Sequence, residues 1–216
     1  MVTISSDRRI LALFFPRLAT DRLQRRRRPS YPSSVQAELP LVVTTKAKGA
    51  LVIAALDATA SQAGLGVGMA LATARALHPA LAIAEHDPMA DQTLLERIAD
   101  WTERYTPCVG LVATDGLALD ITGAAHLMGG EYNLLTDCLT RLSAQGFSAT
   151  AAIAGTLEAA RALALFGEGG IIAPGEEAAV TAPLPLAALG LEDAPVIALA
   201  RLGLKHIGEL AERSEE

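Results

Sequence analysis

Aromatic residues make up only 4% of this 216-residue chain, so its core has to be built from Ala, Leu, Val and Ile rather than from large rings. No apolar run reaches the roughly 18 residues that a membrane-spanning helix needs. The apolar stretch behind Asp7, Arg8 and Arg9 is about six residues long, shorter than the hydrophobic region of a secretory signal. These absences lead to the expectation of a cytoplasmic protein. Cysteine is scarce too: Cys108 and Cys138 have no metal-ligand spacing, and both are expected as buried free thiols. The four histidines, His78, His86, His126 and His206, lack zinc spacing and an evident nucleophile partner. There is no Gly-x-Ser-x-Gly elbow. Gly64-Leu65-Gly66-Val67-Gly68 lacks the Lys-Ser/Thr of a phosphate loop and the spacing of a dinucleotide fingerprint, so a plain turn is expected there.

What is present is a foldable composition, 51% hydrophobic and 19% charged. The net charge of −6 is uneven. Residues 1–28 hold eight arginines against two aspartates, a net +6 that leaves −12 for the remainder. An acidic remainder does not suit a protein that grips nucleic acid unaided. The run Arg25, Arg26, Arg27, Arg28 suits either phosphate contact or a solvated helix end.

The pattern of apolar residues predicts a buried strand over 9–15, stopped by Pro16, and a helix over 18–28. A Pro/Ser-rich loop follows over 29–40. Apolar runs at 41–45 and 50–56 flank Lys46-Ala47-Lys48-Gly49 and predict a hairpin. Helices are expected over 69–77, 87–105, 132–142 and 156–165, with Thr156 as an N-cap and Gly146 as a stop. Strands are expected over 81–85, 109–113, 117–121 and 148–154. From Leu184 the texture changes to short helices around Gly190 and Leu202-Gly203-Leu204. The spacing of Gly203 and Gly208 suits either a helix–hairpin–helix, in which glycine lets helix amides approach a phosphate, or an ordinary helix pair. The element order is α+β, compatible with a ferredoxin-like sheet carrying an insertion.

Metal-dependent chemistry needs converging carboxylates. The best candidates are Asp115 and Asp120 in the run Thr114-Asp115-Gly116-Leu117-Ala118-Leu119-Asp120-Ile121-Thr122. Five residues apart in a continuous strand, they face opposite ways, and only an intervening turn brings them together. Asp115 before Gly116 is also a good turn residue.

Several blocks in order resemble the Y-family (translesion) DNA polymerases and, more closely, their ImuB-type branch. Ile10–Leu23 (ILALFFPRLATDRL) sits where that family has its first catalytic strand. Pro40–Met69 looks like its small fingers region, Thr114–Gly123 (TDGLALDITG) is similar to its Ser-Ile-Asp-Glu-x-x-x-Asp-x-Thr, and Thr150–Leu163 matches its next strand and helix. The Gly203–Gly208 hairpin falls in its thumb. The Phe-Pro-Arg-Leu-x-x-Asp-Arg-Leu stretch points to the ImuB branch. The resemblance implies a palm from 9–30 and 87–183, a fingers-like insertion at 31–86 and a thumb-like helical segment at 184–216, with the little finger absent from these residues.

This chain departs from the polymerase pattern where the chemistry is done. The first metal-binding Asp corresponds to Phe14, the second is retained as Asp115, and the Glu after it is Gly116. The ribose-excluding aromatic corresponds to Ala19, the triphosphate-holding Tyr and Arg to Ala58 and Ser61, and the later lysine to Leu157. Two-metal phosphoryl transfer needs carboxylates to hold two Mg²⁺ ions against the triphosphate. One carboxylate binds Mg²⁺ poorly by itself.

The resemblance therefore implies a pseudo-polymerase without metal or cofactor. It implies a scaffold for bacterial DNA-damage tolerance, joining a sliding clamp, a RecA-like (ImuA-type) accessory protein and an error-prone replicative-type DNA polymerase. Weak DNA contact is placed on Arg25–Arg28, Gly203, Lys205 and Gly208. The competing expectation is an active, divergent Y-family polymerase that recruits Asp115 together with Asp120 or Glu131.

Overall fold

The computed structural model describes residues 8–27 and 39–214. The described residues fold as an α+β protein in two compact units, one formed by residues 8–15, 95–144 and 149–214, the other by residues 16–27, 39–94 and 145–148.

The first unit is built on a five-stranded sheet. Its strands are β1 (Ile10–Phe14), β5 (Val109–Val112), β6 (Gly116–Asp120), β7 (Thr150–Ala154) and β8 (Gly170–Ile171), in the order β5-β6-β1-β7-β8. The first four, all antiparallel, reproduce the ferredoxin-like order expected from the sequence, and β8 adds a parallel strand beside β7. Every residue of β1 is buried, which is why its sequence is continuously apolar rather than alternating. One sheet face carries Ala12, Phe14, Ala152 and Ala154 and packs on α6 (Leu157–Phe166) through Ala159, Ala160, Leu163 and Ala164. Alanines on both sides let this helix lie close to the sheet. Thr156 caps α6, its Oγ1 accepting from the Ala159 N–H at 3.2 Å. Strand alternation turns Leu11, Leu13, Leu117 and Leu119 to the other face, where all are fully buried. α5 (Glu131–Ala144) packs on β7 and buries Leu134, Leu135, Cys138 and Leu142.

The second unit is inserted between β1 and the returning α4 (Pro88–Thr102). It begins with α1 (Leu18–Arg27) and holds a three-stranded sheet of β2 (Leu41–Ala47), β3 (Ala50–Leu56) and β4 (Ala82–Glu85), ordered β3-β2-β4. The hairpin is tighter than the sequence suggested. β2 runs to Ala47, and Lys48 and Gly49, both with positive φ (48° and 81°), make a two-residue turn. α2 (Ala58–Gln62), unforeseen in the sequence, and α3 (Leu71–Leu77) cover this sheet around Val42, Ile53, Ala60, Leu65, Leu71 and Ala74.

Three shorter helices end the chain: α7 (Glu177–Thr181), α8 (Asp193–Arg201) and α9 (Ile207–Ser214). Cys138 is buried as expected, and burial pushes its thiol up to about 12. Cys108 is exposed, contrary to expectation: it precedes edge strand β5, which has no neighbour on its outer side among the described residues. The Pro/Ser-rich loop lies almost entirely outside the described residues. Among the described residues, no helix is long and apolar enough to cross a membrane.

Candidate functional site

In the first unit the strand register decides what stands where the resemblance places metal chemistry. Phe14 pairs with Gly116 on one side and Thr150 on the other. The Phe14 ring is 1% exposed and belongs to the apolar cluster under α6, against which Leu157 and Val112 also pack. Phe14 and Leu157, 143 positions apart, are thus brought to one apolar cluster. Gly116 makes the ring's position possible. A Cβ at residue 116 would lie 2.4 Å from Phe14 Cε1 and 2.7 Å from the Val112 carbonyl oxygen. A side chain at 116 and the ring at 14 claim the same space.

Asp115 sits just outside this cluster, in the turn that links β5 to β6. Its carbonyl oxygen accepts from the Phe15 N–H at 2.8 Å, which ties the turn to the end of β1. Its carboxyl group is half-buried, and desolvation raises its pKa above the ordinary value. Asp120 and Glu131 stand elsewhere. Asp120 pairs with Ile10 at the opposite end of β1, five residues and about 16 Å along the strand from Asp115. The Thr122 backbone N–H donates to its carboxylate at 3.1 Å. Thr122 hydrogen bonding, and then Arg8 at 3.5 Å, hold it below the usual carboxylate range.

Glu131 is engaged by Arg9. The Arg9 Nε and Nη2 donate to its two oxygens at 2.5 and 2.7 Å, and Nη2 also donates to the Ile172 carbonyl at 2.8 Å. This pair links the start of β1 to α5 and was not foreseen; no local sequence signal joins residues 122 apart. Among the described residues, no group of three or more His, Cys, Asp or Glu side chains could hold a metal ion. At positions 14, 115 and 116 the donor set is one carboxylate, which does not fit a two-metal centre.

In the second unit, Ala19 is buried on α1, while Ala58 and Ser61 lie on α2. The polar feature of α2 is its cap. Asp57, 3% exposed, accepts from the Ala60 N–H at 2.8 Å and from Gln24 Nε2 at 2.9 Å. α1 also carries two charged side chains that are buried. Asp21 accepts from the Ser148 N–H at 2.6 Å, and burial raises its pKa despite that bond. Arg22 donates to Asp91 at 2.6 Å, and His86 Nε2 lies 3.3 Å from the other Asp91 oxygen. Arg25 stacks over the Phe147 ring at 4.0 Å and donates to the Gln145 carbonyl, so its guanidinium is engaged locally. Arg26 is exposed, Arg27 ends α1, and Arg28 lies outside the described residues.

The helical end of the chain holds the other phosphate-contact candidates. Gly203 is in the left-handed region at φ 86° and donates to the Ala200 carbonyl. Gly208 is a close-approach glycine: its N–H donates to the Ala182 carbonyl at 2.9 Å, and a Cβ would lie 3.1 Å from the Ala182 Cβ. The Lys205 and His206 N–H groups both donate to Glu209, at 2.6 and 3.1 Å. Glu209 thus caps α9 from within and places a carboxylate where a phosphate would sit. These bonds, led by that from Lys205, lower its pKa from 4.5 to about 2.

A depressed carboxylate pKa contributes stability that is present above the unfolded value and lost as pH falls through the folded one. A Glu209→Gln variant is therefore expected to be less stable than the parent at neutral pH. The difference should close between pH 4.5 and about 2, read by chemical denaturation at each pH.

Residues 22–164 match the IMS family, described as impB/mucB/samB. Protein ImuB of Caulobacter vibrioides, in two strains, is 50% identical over 148 residues, which is 68% of this chain and 32% of that protein. The chain thus spans about a third of the length of the curated relatives it matches. Among solved structures, DinB from Sulfolobus solfataricus has a TM-score of 0.70 at 17% identity, over 94% of this chain and 60% of that one. A post-insertion binary complex of Dbh DNA polymerase gives 0.73 at 17%, with the same coverage. At that identity the likeness concerns the fold alone. The family match covers most of the chain, and the 50% identity places it within a branch: the chain belongs to the impB/mucB/samB family, as an ImuB-type relative of the Y-family polymerases.

Proposed function

We propose that this chain is a polymerase-like module of translesion synthesis that does not itself transfer nucleotides. Its role is that of a non-catalytic scaffold in DNA-damage-induced mutagenesis. The observation that carries this reading is the apolar cluster in which the Phe14 ring and Leu157 stand together, with Gly116 leaving the ring its space. A single half-buried carboxylate, Asp115, does not suit two hard divalent ions, and an apolar surround offers a triphosphate no compensating charge. The recruited-carboxylate alternative is disfavoured because Asp120 and Glu131 lie toward the Arg9 end of β1 and are engaged by Thr122 and Arg9.

The partners that fit the reading are a sliding clamp, a RecA-like accessory protein and an error-prone replicative-type polymerase, which performs the synthesis. The setting is the bacterial cytoplasm, at the nucleoid. DNA contact by these residues is weak and salt-sensitive, centred on the basic end of α1. The carboxylate of Glu209 opposes phosphate binding at α9.

Calorimetric titration with a deoxynucleoside triphosphate and Mg²⁺, with and without primer–template DNA, tests the central claim. The expected result is no saturable heat and no protection against unfolding. Saturable micromolar binding, with primer extension lost in Asp115→Ala, would establish the active-polymerase alternative instead.

A further inference from the structure

Between Ala188 and Leu204 the chain makes an excursion whose two ends are locked. Leu184, Leu186, Ala188 and Leu204 are all buried, and Leu184 and Ala188 pack with Ala162 of α6 and with Ile207. The Leu186 N–H donates to the Lys205 carbonyl at 3.1 Å and the Ile207 N–H to the Leu184 carbonyl at 3.0 Å, around an antiparallel bridge of Pro185 and His206. Arg161 braces the entry side. Its Nη2 donates to the Ala188 carbonyl at 2.7 Å, and its guanidinium takes the space that a Cβ at Gly190 would need. The excursion itself is not held in this way. From 189 to 203 none of the residues whose burial is described is buried, and only Leu189, Val196 and Leu199 are partly covered.

Most of that excursion is α8. It has nine residues, fewer than the roughly 12–15 that an isolated helix needs in water. A helix this short depends on its packed face, and α8 has almost none. Its N-cap residue, Glu192, makes no side-chain cap hydrogen bond, so the first turn lacks that support too. Gly190 (φ 72°) and Gly203 (φ 86°) stand on either side in the left-handed region, where the backbone turns without a Cβ penalty. We infer that α8 is a local unfolding unit, which melts and re-forms between Gly190 and Gly203 while the clamp of residues 184–186 and 205–207 stays closed. The Gly203 turn is then flanked by one lasting helix, α9, which Glu209 caps, and one intermittent helix. A ligand that needs both helices in place binds with its affinity reduced by the fraction of time α8 is formed. Any change that stabilises α8 raises that affinity.

Native-state hydrogen exchange on the full chain, followed by NMR at several low urea concentrations, tests this. The Val196, Leu202 and Gly203 N–H groups bond to carbonyls of α8 or its N-cap. After correction for intrinsic rates, they are expected to exchange at least about a hundredfold faster than those of Leu186 and Ile207 in the clamp. Their exchange should depend little on urea, because opening α8 exposes little surface. Ala198→Gly, at an exposed position in the helix, should speed the α8 amides about fivefold. It should leave exchange at Leu186 and Ile207, and the melting temperature, unchanged. Equal exchange in α8 and the clamp, whether both slow or both fast, overturns the inference. So does a fall in melting temperature with Ala198→Gly, which would make α8 part of the global unfolding unit.

Discussion

A Gly116→Glu variant, which restores the acid of the polymerase pattern, is expected to be strongly destabilised rather than reactivated. Residue 116 is buried in β6, and even its Cβ would meet the Phe14 ring at 2.4 Å and a backbone oxygen at 2.7 Å. Overpacking alone costs about 1–3 kcal/mol, and a carboxylate pressed against an apolar cluster adds desolvation, so the expected loss is about 3 kcal/mol or more. Phe14→Ala should cost about 3–5 kcal/mol by itself, because the ring is 1% exposed and leaves a cavity. The informative variant is the double one. With the ring removed, the new side chain gains room, and the two losses should fall short of their sum by about 1–3 kcal/mol. Urea denaturation of the parent, both single variants and the double variant gives that coupling directly. Additivity to within about 0.5 kcal/mol would mean that the two positions are independent, and the steric account would be wrong.

The same steric conflict supports the proposed reading that positions 14 and 116 depart from the polymerase pattern together. A ring at 14 and a side chain at 116 exclude each other, so an acid at 116 needs residue 14 to be small or polar first. The two changes were visible in the sequence as separate positions on similar blocks. Their mutual exclusion was not, because it depends on a strand register that pairs Phe14 with Gly116 across 102 positions. What was legible follows the same logic. The continuous apolar run of β1, the cap at Thr156 and the helical spacing of Leu94, Leu95, Ile98 and Trp101 in α4 are local signals, and those elements lie where they were expected. Short pieces were missed: α2 has five residues and β8 two, too few for any periodicity to show. β8 owes its existence to tertiary pairing with β7. Asp115 was legible as a turn residue, while its half-burial was not, since that depends on packing around the β5–β6 hairpin. Cys108 was misjudged for a related reason. An apolar strand reads as interior, and only the sheet order makes β5 an edge.

The buried pair of Arg22 and Asp91 should give the other large effect. Their side chains are 6% and 10% exposed, and they meet at 2.6 Å within the second unit, joining α1 to the start of α4. The geometry is good but incomplete, because Arg22 Nη2 is buried and has no hydrogen-bond partner among the described residues. A buried ion pair of this kind pays heavily in desolvation, so it need not stabilise the fold relative to an apolar pair of similar volume. Breaking it from one side is another matter. Arg22→Met leaves the buried Asp91 carboxylate with His86, at 3.3 Å, as its remaining ion-pair partner among the described residues, and is expected to cost about 3–5 kcal/mol. Asp91→Leu strands the guanidinium and should cost a similar amount. The double variant, Arg22→Met with Asp91→Leu, should recover most of the loss and come within about 1 kcal/mol of the parent, or exceed it. Thermal and chemical denaturation of the four proteins would decide. If the double variant is as unstable as the worse single one, the pair stabilises α1 in its own right, and the Asp-Arg-Leu stretch of that helix is held by charge rather than by volume.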